Sequence, residues 1–113
     1  MKSDNDYLNQ VLNHITFTKV ENYRIDEIFP TLKGSDIKIL LHIIRNTVGF
    51  NRVSFMTNYA NIANKTGVDY TYIKPCLERL VNLKLIVIEK VNFRQIKIIF
   101  DRRVVKLNQL SKP

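Results

Sequence analysis

Four residues in the segment 70–74 have side chains suited to one kind of partner: Tyr70, Thr71, Tyr72 and Lys74. A phenol ring stacks on flat π-systems, an ammonium neutralises an oxyanion, and a hydroxyl donates to one. Such a set suits a polymer that is both anionic and ring-bearing, with Lys74 meeting a phosphate or a guanine edge and Thr71 a phosphate. The N-terminus of a helix there would add its own attraction for phosphate. Tyr70 and Tyr72 lie two apart, so on a helix they face different sides, and at least one is expected to pack at the core or its rim. Residues 70–74 include no Asn, Gln or Arg, so two-pronged reading of base edges is poorly supplied. A second set follows at Lys90, Phe93, Arg94 and Lys97. The cations there suit phosphates, whereas Phe93 in a turn has three uses that the sequence leaves open: stacking on a base, wedging into a groove, or packing in a dimer. Arg45, Arg52, Lys65 and Arg79 add charge, although each taken singly is ordinarily a solvated surface group.

Residues that would carry out a reaction are scarce. The chain holds one cysteine, Cys76, and two histidines, His14 and His42. One thiol forms no internal disulfide, and three such ligands do not make a zinc site. Cys76 is read as a packed thiol and His42 as a packed or rim imidazole. There is no Gly-x-x-x-x-Gly-Lys phosphate loop and no evident Ser or Cys nucleophile arrangement, so neither enzymatic activity nor a cofactor is expected.

The charge distribution says more than its total of +8. Residues 1–44 carry five basic and six acidic groups. Residues 45–113 carry thirteen basic against four acidic, a net charge of +9. A one-sided basic field suits nucleic acid or an anionic surface. No apolar run approaches the ~20 residues that span a bilayer, and Met1–Asn9 is polar and acidic, so the expected setting is intracellular and away from membranes.

These residues need elements to position them. Length and composition suit one domain, read as an N-terminal helix in 1–15, a core over 16–100 and a basic tail over 101–113. Tyr7, Leu8, Val11 and Leu12 recur at helical spacing within Asp4–His14. Thr16–Val20 alternates and is β-branched, which predicts a short strand. Ile25, Ile28 and Phe29 share one side of a helical turn or two, broken by Pro30. The strongest helix spans Ser35–Val48, with Ser35 as cap, Asp36 in the first turn, and Ile37, Leu40, Leu41, Ile44 and Val48 as its stripe, widened by Ile39 and Ile43; Gly49 is expected to end it. A helix over Thr57–Gly67, capped by Thr57 or Asn58, presents Tyr59, Ile62 and Ala63. After Gly67-Val68-Asp69 a second helix starts on Asp69 and presents Ile73, Leu77, Leu80 and Val81. Helix, glycine turn and helix form the helix-turn-helix pattern. Leu85–Val91 and Ile96–Phe100, joined by a turn over Asn92–Gln95, predict a β-hairpin. The expected class is mainly α with a small hairpin (α+β), in the order of a winged helix-turn-helix.

Three stretches resemble the N-terminal domain of the phage replication protein O family, the origin-binding replisome organisers. They are Phe17-Thr18-Lys19-Val20-Glu21-Asn22; Ile43-Ile44-Arg45-Asn46-Thr47-Val48-Gly49-Phe50-Asn51-Arg52; and Ile62-Ala63-Asn64-Lys65-Thr66-Gly67-Val68, continuing through Leu77 and Leu80 to Leu85-Ile86. The middle stretch is the most distinctive. The resemblance covers about residues 17–86. It implies a DNA-binding winged helix used in replicating a phage or other mobile element in the bacterial cytoplasm, with a helicase or primase among its partners. Pro75 departs from a regular recognition helix, because it lacks the amide that would bond to Thr71. The helix either kinks there or starts late, with Pro75 in its first turn.

Three readings follow. The first is a replication protein binding duplex origin DNA or a single strand, mainly through backbone and stacking contacts. The second is a transcription regulator that binds a palindromic operator as a homodimer. The third is a protein-interaction module whose basic charge is incidental.

Overall fold

The computed structural model describes residues 17–101. The helix expected over 4–14 and the tail beyond Asp101 lie outside the described residues. The described chain is α+β: helices at one end of the sequence and in its middle pack on a small antiparallel sheet.

The chain enters through a π-helical turn, Arg24–Ile28, and a 3-10 turn, Phe29–Thr31, whose first residues include Pro30. Helix α1 follows over Gly34–Thr47, and a 3-10 turn over Val48–Phe50 closes it. Strand β1 is Ser54–Thr57, helix α2 is Tyr59–Thr66 and helix α3 is Tyr70–Asn82. Strands β2, Val87–Lys90, and β3, Ile96–Ile99, form the hairpin. The sheet order is β1-β3-β2, with Phe55 opposite Ile98 and Ile88 opposite Ile98 on the inner face.

Local chemistry explains most boundaries. The start of α1 is capped in reverse of expectation: the Asp36 carboxylate reaches back and accepts from the Lys33 amide at 3.2 Å, so the cap is Lys33 rather than Ser35. Gly49 does not stop this helix either. The left-handed residue is Asn51, with φ 55°, and Gly49 instead lies close to its neighbours: a Cβ there would meet the side-chain ends Arg45 Nη1 and Thr18 Oγ1, each at 2.8 Å, and they would have to shift. Asn58 caps α2, its side chain accepting from the Asn61 amide at 2.7 Å, and Gly67 ends α2 with φ 76°. The Asp69 carboxylate then accepts from the Thr71 amide at 2.9 Å and opens α3. Helix α3 runs through Pro75 rather than starting late.

The core lies where α1, α2 and α3 meet the inner face of the sheet. Ile39, Leu40, Ile43 and Ile44 of α1 are fully buried, with Ile62, Ile73, Cys76, Leu77, Leu80 and Ile98 around them. The centre of the α1 stripe is therefore one position off the expected one. Leu41 faces solvent, and Ile37 and Val48 are half-buried. Thr47 fits this apolar face because its hydroxyl donates to the Ile43 carbonyl at 2.8 Å.

Two expectations near the start are corrected. Residues 17–20 form no strand and pair with none of the three strands among the described residues. In the π-turn Ile25 faces solvent while Arg24 is buried, its guanidinium 4.6 Å from the Phe100 ring centroid and 5.0 Å from that of Tyr23. Glu21 lies 3.6 Å from the same guanidinium.

His42 is the packed imidazole that was expected. Its ring meets Phe55 edge-on at 6.0 Å, Asn46 Nδ2 donates to Nδ1 at 3.3 Å, and Nε2 is buried. Burial, helped by the charge of Lys65, lowers its pKa. A histidine that is harder to protonate when folded stabilises the fold fully above its unfolded value of about 6.5, and that stability is lost as pH falls through the lower folded value. Thermal unfolding is thus expected to shift to lower temperature on acidification from about pH 7, and His42→Gln is expected to flatten that slope.

Candidate nucleic-acid interface

Helix α3 presents two faces. Ile73, Cys76, Leu77 and Leu80 turn into the core, while Tyr70, Thr71, Tyr72, Lys74, Pro75 and Glu78 turn outward. Tyr70 is 58% exposed and is braced edge-on by Tyr59 of α2 at 6.4 Å between ring centroids. The hairpin rises beside this end of the helix. At its tip Asn92 closes an Asx turn, its side-chain oxygen accepting from the amides of Arg94 at 2.8 Å and Gln95 at 3.0 Å. That turn carries Phe93 outward with 91% of its surface exposed, and the Arg94 guanidinium sits 5.1 Å from the Phe93 ring centroid.

Between helix and hairpin lies a cleft of about 700 Å³. Tyr70 and Lys74 line it from α3, Asn58, Tyr59 and Ala60 from the start of α2, and Lys90 with 92–96 from the hairpin. Among the described residues three cations line this cleft and no carboxylate does. Five residues from the two sets singled out in the sequence, Tyr70 and Lys74 of one and Lys90, Phe93 and Arg94 of the other, are thus brought to one place. Asn58 and Tyr59 were not anticipated as lining residues, and nothing in their own segment signals it; the fold brings the start of α2 under the hairpin.

Other candidates lie elsewhere. Tyr72 is exposed but does not line the cleft. Thr71 is engaged locally, its hydroxyl donating to Asp69 at 2.7 Å. These hydrogen bonds from the Thr71 amide and hydroxyl lower the Asp69 pKa, so a carboxylate already occupies the helix N-terminus expected to draw phosphate. Arg79 is committed to the fold: its Nε and Nη2 bind the Asp36 carboxylate at 2.8–3.2 Å, joining α3 to the start of α1. Lys97 projects from the outer face of the sheet, opposite Met56 and Glu89. Lys65 stands exposed in the last turn of α2. Arg45 and Arg52 form a separate group around the exposed Phe50 ring, 4.5 and 5.1 Å from its centroid, and Arg52 Nε donates to the Asn46 carbonyl at 2.8 Å.

Cys76 is fully buried, its thiol donating to the Ser35 hydroxyl at 3.4 Å, and burial raises its pKa. A buried thiol held in its neutral form is a packing group rather than a nucleophile. Among the described residues no helix is long and apolar enough to cross a membrane. No family model matches the chain, and no curated protein matches it at a significant level.

Proposed function

We propose that the chain is a winged helix-turn-helix protein that binds DNA through the cleft between α3 and the hairpin and performs no chemistry of its own. The element order supports the fold reading: a helix, a strand, two helices joined across Gly67-Val68-Asp69, then a hairpin whose last strand pairs with the first. In that reading α3 is the recognition helix and Asn92–Gln95 the wing. The observation that carries the function is the cleft itself, lined by Lys74, Lys90 and Arg94 with no acidic residue among the described residues. Cations gathered without carboxylates repel one another unless an anion separates them, and a phosphate backbone is the polyanion whose spacing extends over such a cleft. A role in replicating a phage or other mobile element, in the bacterial cytoplasm and beside a helicase or primase, rests on the resemblance of residues 17–86 to the replication protein O family.

Binding of labelled DNA as a function of salt tests the reading. Lys74→Ala and Arg94→Ala are each expected to weaken binding and to flatten the plot of log affinity against log salt by roughly 0.7–0.9, the loss for one phosphate contact. Unchanged slopes in both variants would move the interface away from this cleft. Absence of binding to any DNA at low salt would favour the protein-interaction module instead.

A further inference from the structure

Resting on the DNA-binding reading, we infer that the cleft takes an unpaired stretch of DNA, with a base stacked on Phe93 and the backbone held by Lys74, Lys90 and Arg94. The outward face of α3 points away from duplex reading, and the cleft points toward bases out of the helix.

The outward face of α3 is poorly equipped for a major groove. Tyr70, Thr71, Tyr72, Lys74, Pro75 and Glu78 include none of the Arg, Asn or Gln side chains that grip a base edge with two bonds. The end of the helix that would lead into a groove is filled by the Asp69 carboxylate, which holds both the amide and the hydroxyl of Thr71. Glu78 is exposed on that face and would bring a negative charge toward the phosphates of a duplex.

The cleft is equipped for a single strand. Phe93 is 91% exposed, a large apolar ring left in water at a turn where a polar residue is usual. The backbone beneath it needs no ordering on binding, since the Asx turn of Asn92 fixes it. Tyr70 supplies a second ring on the helix side, held by Tyr59. Aromatic rings beside a cationic track are the arrangement that accepts successive unstacked bases with little regard to their identity. In a paired duplex the base faces are covered by their neighbours, so a ring can meet them only by wedging a step apart.

The test uses the full chain and an oligodeoxynucleotide of about 12 nucleotides, a length in the range of known single-strand sites, carrying 2-aminopurine. The same strand annealed to its complement serves as the duplex. The single strand is expected to bind more tightly, with the 2-aminopurine fluorescence changing on binding. Phe93→Leu is expected to cost about tenfold in single-strand affinity, to abolish most of the fluorescence change, and to leave duplex affinity within about twofold. Phe93 touches solvent on nearly all sides, so the variant keeps the fold, which a thermal melt verifies. Duplex bound as tightly as the single strand, or Phe93→Leu weakening both forms alike, overturns the inference while leaving DNA binding intact. Binding to neither form at low salt overturns the DNA-binding reading beneath it.

Discussion

Arg79→Ala is expected to destabilise the protein by about 2–4 kcal/mol. Asp36 is 2% exposed at its side chain and keeps its charge because Arg79 binds it through two nitrogens. Removing the guanidinium strands a buried carboxylate, which typically costs ~3–5 kcal/mol; the Arg79 side chain is 37% exposed, and water reaching that side reduces the penalty. The pH dependence identifies the cause. Burial pushes the Asp36 pKa up, but hydrogen bonds from the Arg79 guanidinium and the Lys33 amide outweigh it and hold the carboxyl below its usual range. Because that pKa is lower folded than unfolded, the contribution is complete above the unfolded value of about 4. It is lost as pH falls through the lower folded value. Urea unfolding of the parent is therefore expected to show a steep acid limb that Asp36→Asn flattens. An Arg79→Ala protein as stable as the parent at pH 7 would show that the pair contributes nothing.

Removing the three cleft cations together, Lys74→Ala, Lys90→Ala and Arg94→Ala, is expected to lower DNA affinity at about 0.1 M salt by roughly 100- to 500-fold. This follows from a loss of ~0.7–0.9 in salt slope for each of three phosphate contacts, so the slope itself flattens by roughly 2–3. All three residues are exposed, so the melting temperature is expected to stay within a few degrees of the parent. The matched control removes the same charge from Lys19, Lys33 and Lys38, which are exposed and do not line the cleft. Charge outside the contact acts only through a screened field, with a Debye length of about 10 Å at this salt, and its loss is expected to cost under tenfold. Equal losses in the two triple variants would assign the binding to net charge rather than to the cleft.

The sequence was most readable where the determinants are local. Asn58, Gly67 and Asp69 set the ends of α2 and α3 through contacts a few residues long, and the turn from Asn92 to Gln95 marks the hairpin. The unread parts are non-local. Ser54–Thr57 is a strand because β3, some forty residues on, offers it an edge, as the pairing of Phe55 with Ile98 shows. The Arg79–Asp36 bond joins positions 43 apart, so Arg79 looked like one more free cation. The fold class at the level of α+β was legible for the first reason. In the candidate site, Tyr70, Lys74, Lys90, Phe93 and Arg94 were recognisable by type and position on their own elements. That Thr71 is held by Asp69, or that Tyr59 steadies Tyr70, depends on geometry that residue types alone do not fix.

The Asx turn at the hairpin tip separates two kinds of selection. The Asn92 side chain and the Val91 and Asn92 amides, which donate to the Gln95 carbonyl, secure the backbone of the tip, and Phe93 and Arg94 add nothing to the buried core. Residues at these two positions are therefore free to vary while β2, β3 and the helices beneath them stay the same. A lineage carrying this fold can change what its tip grips by one or two substitutions, without first acquiring stability elsewhere to tolerate them.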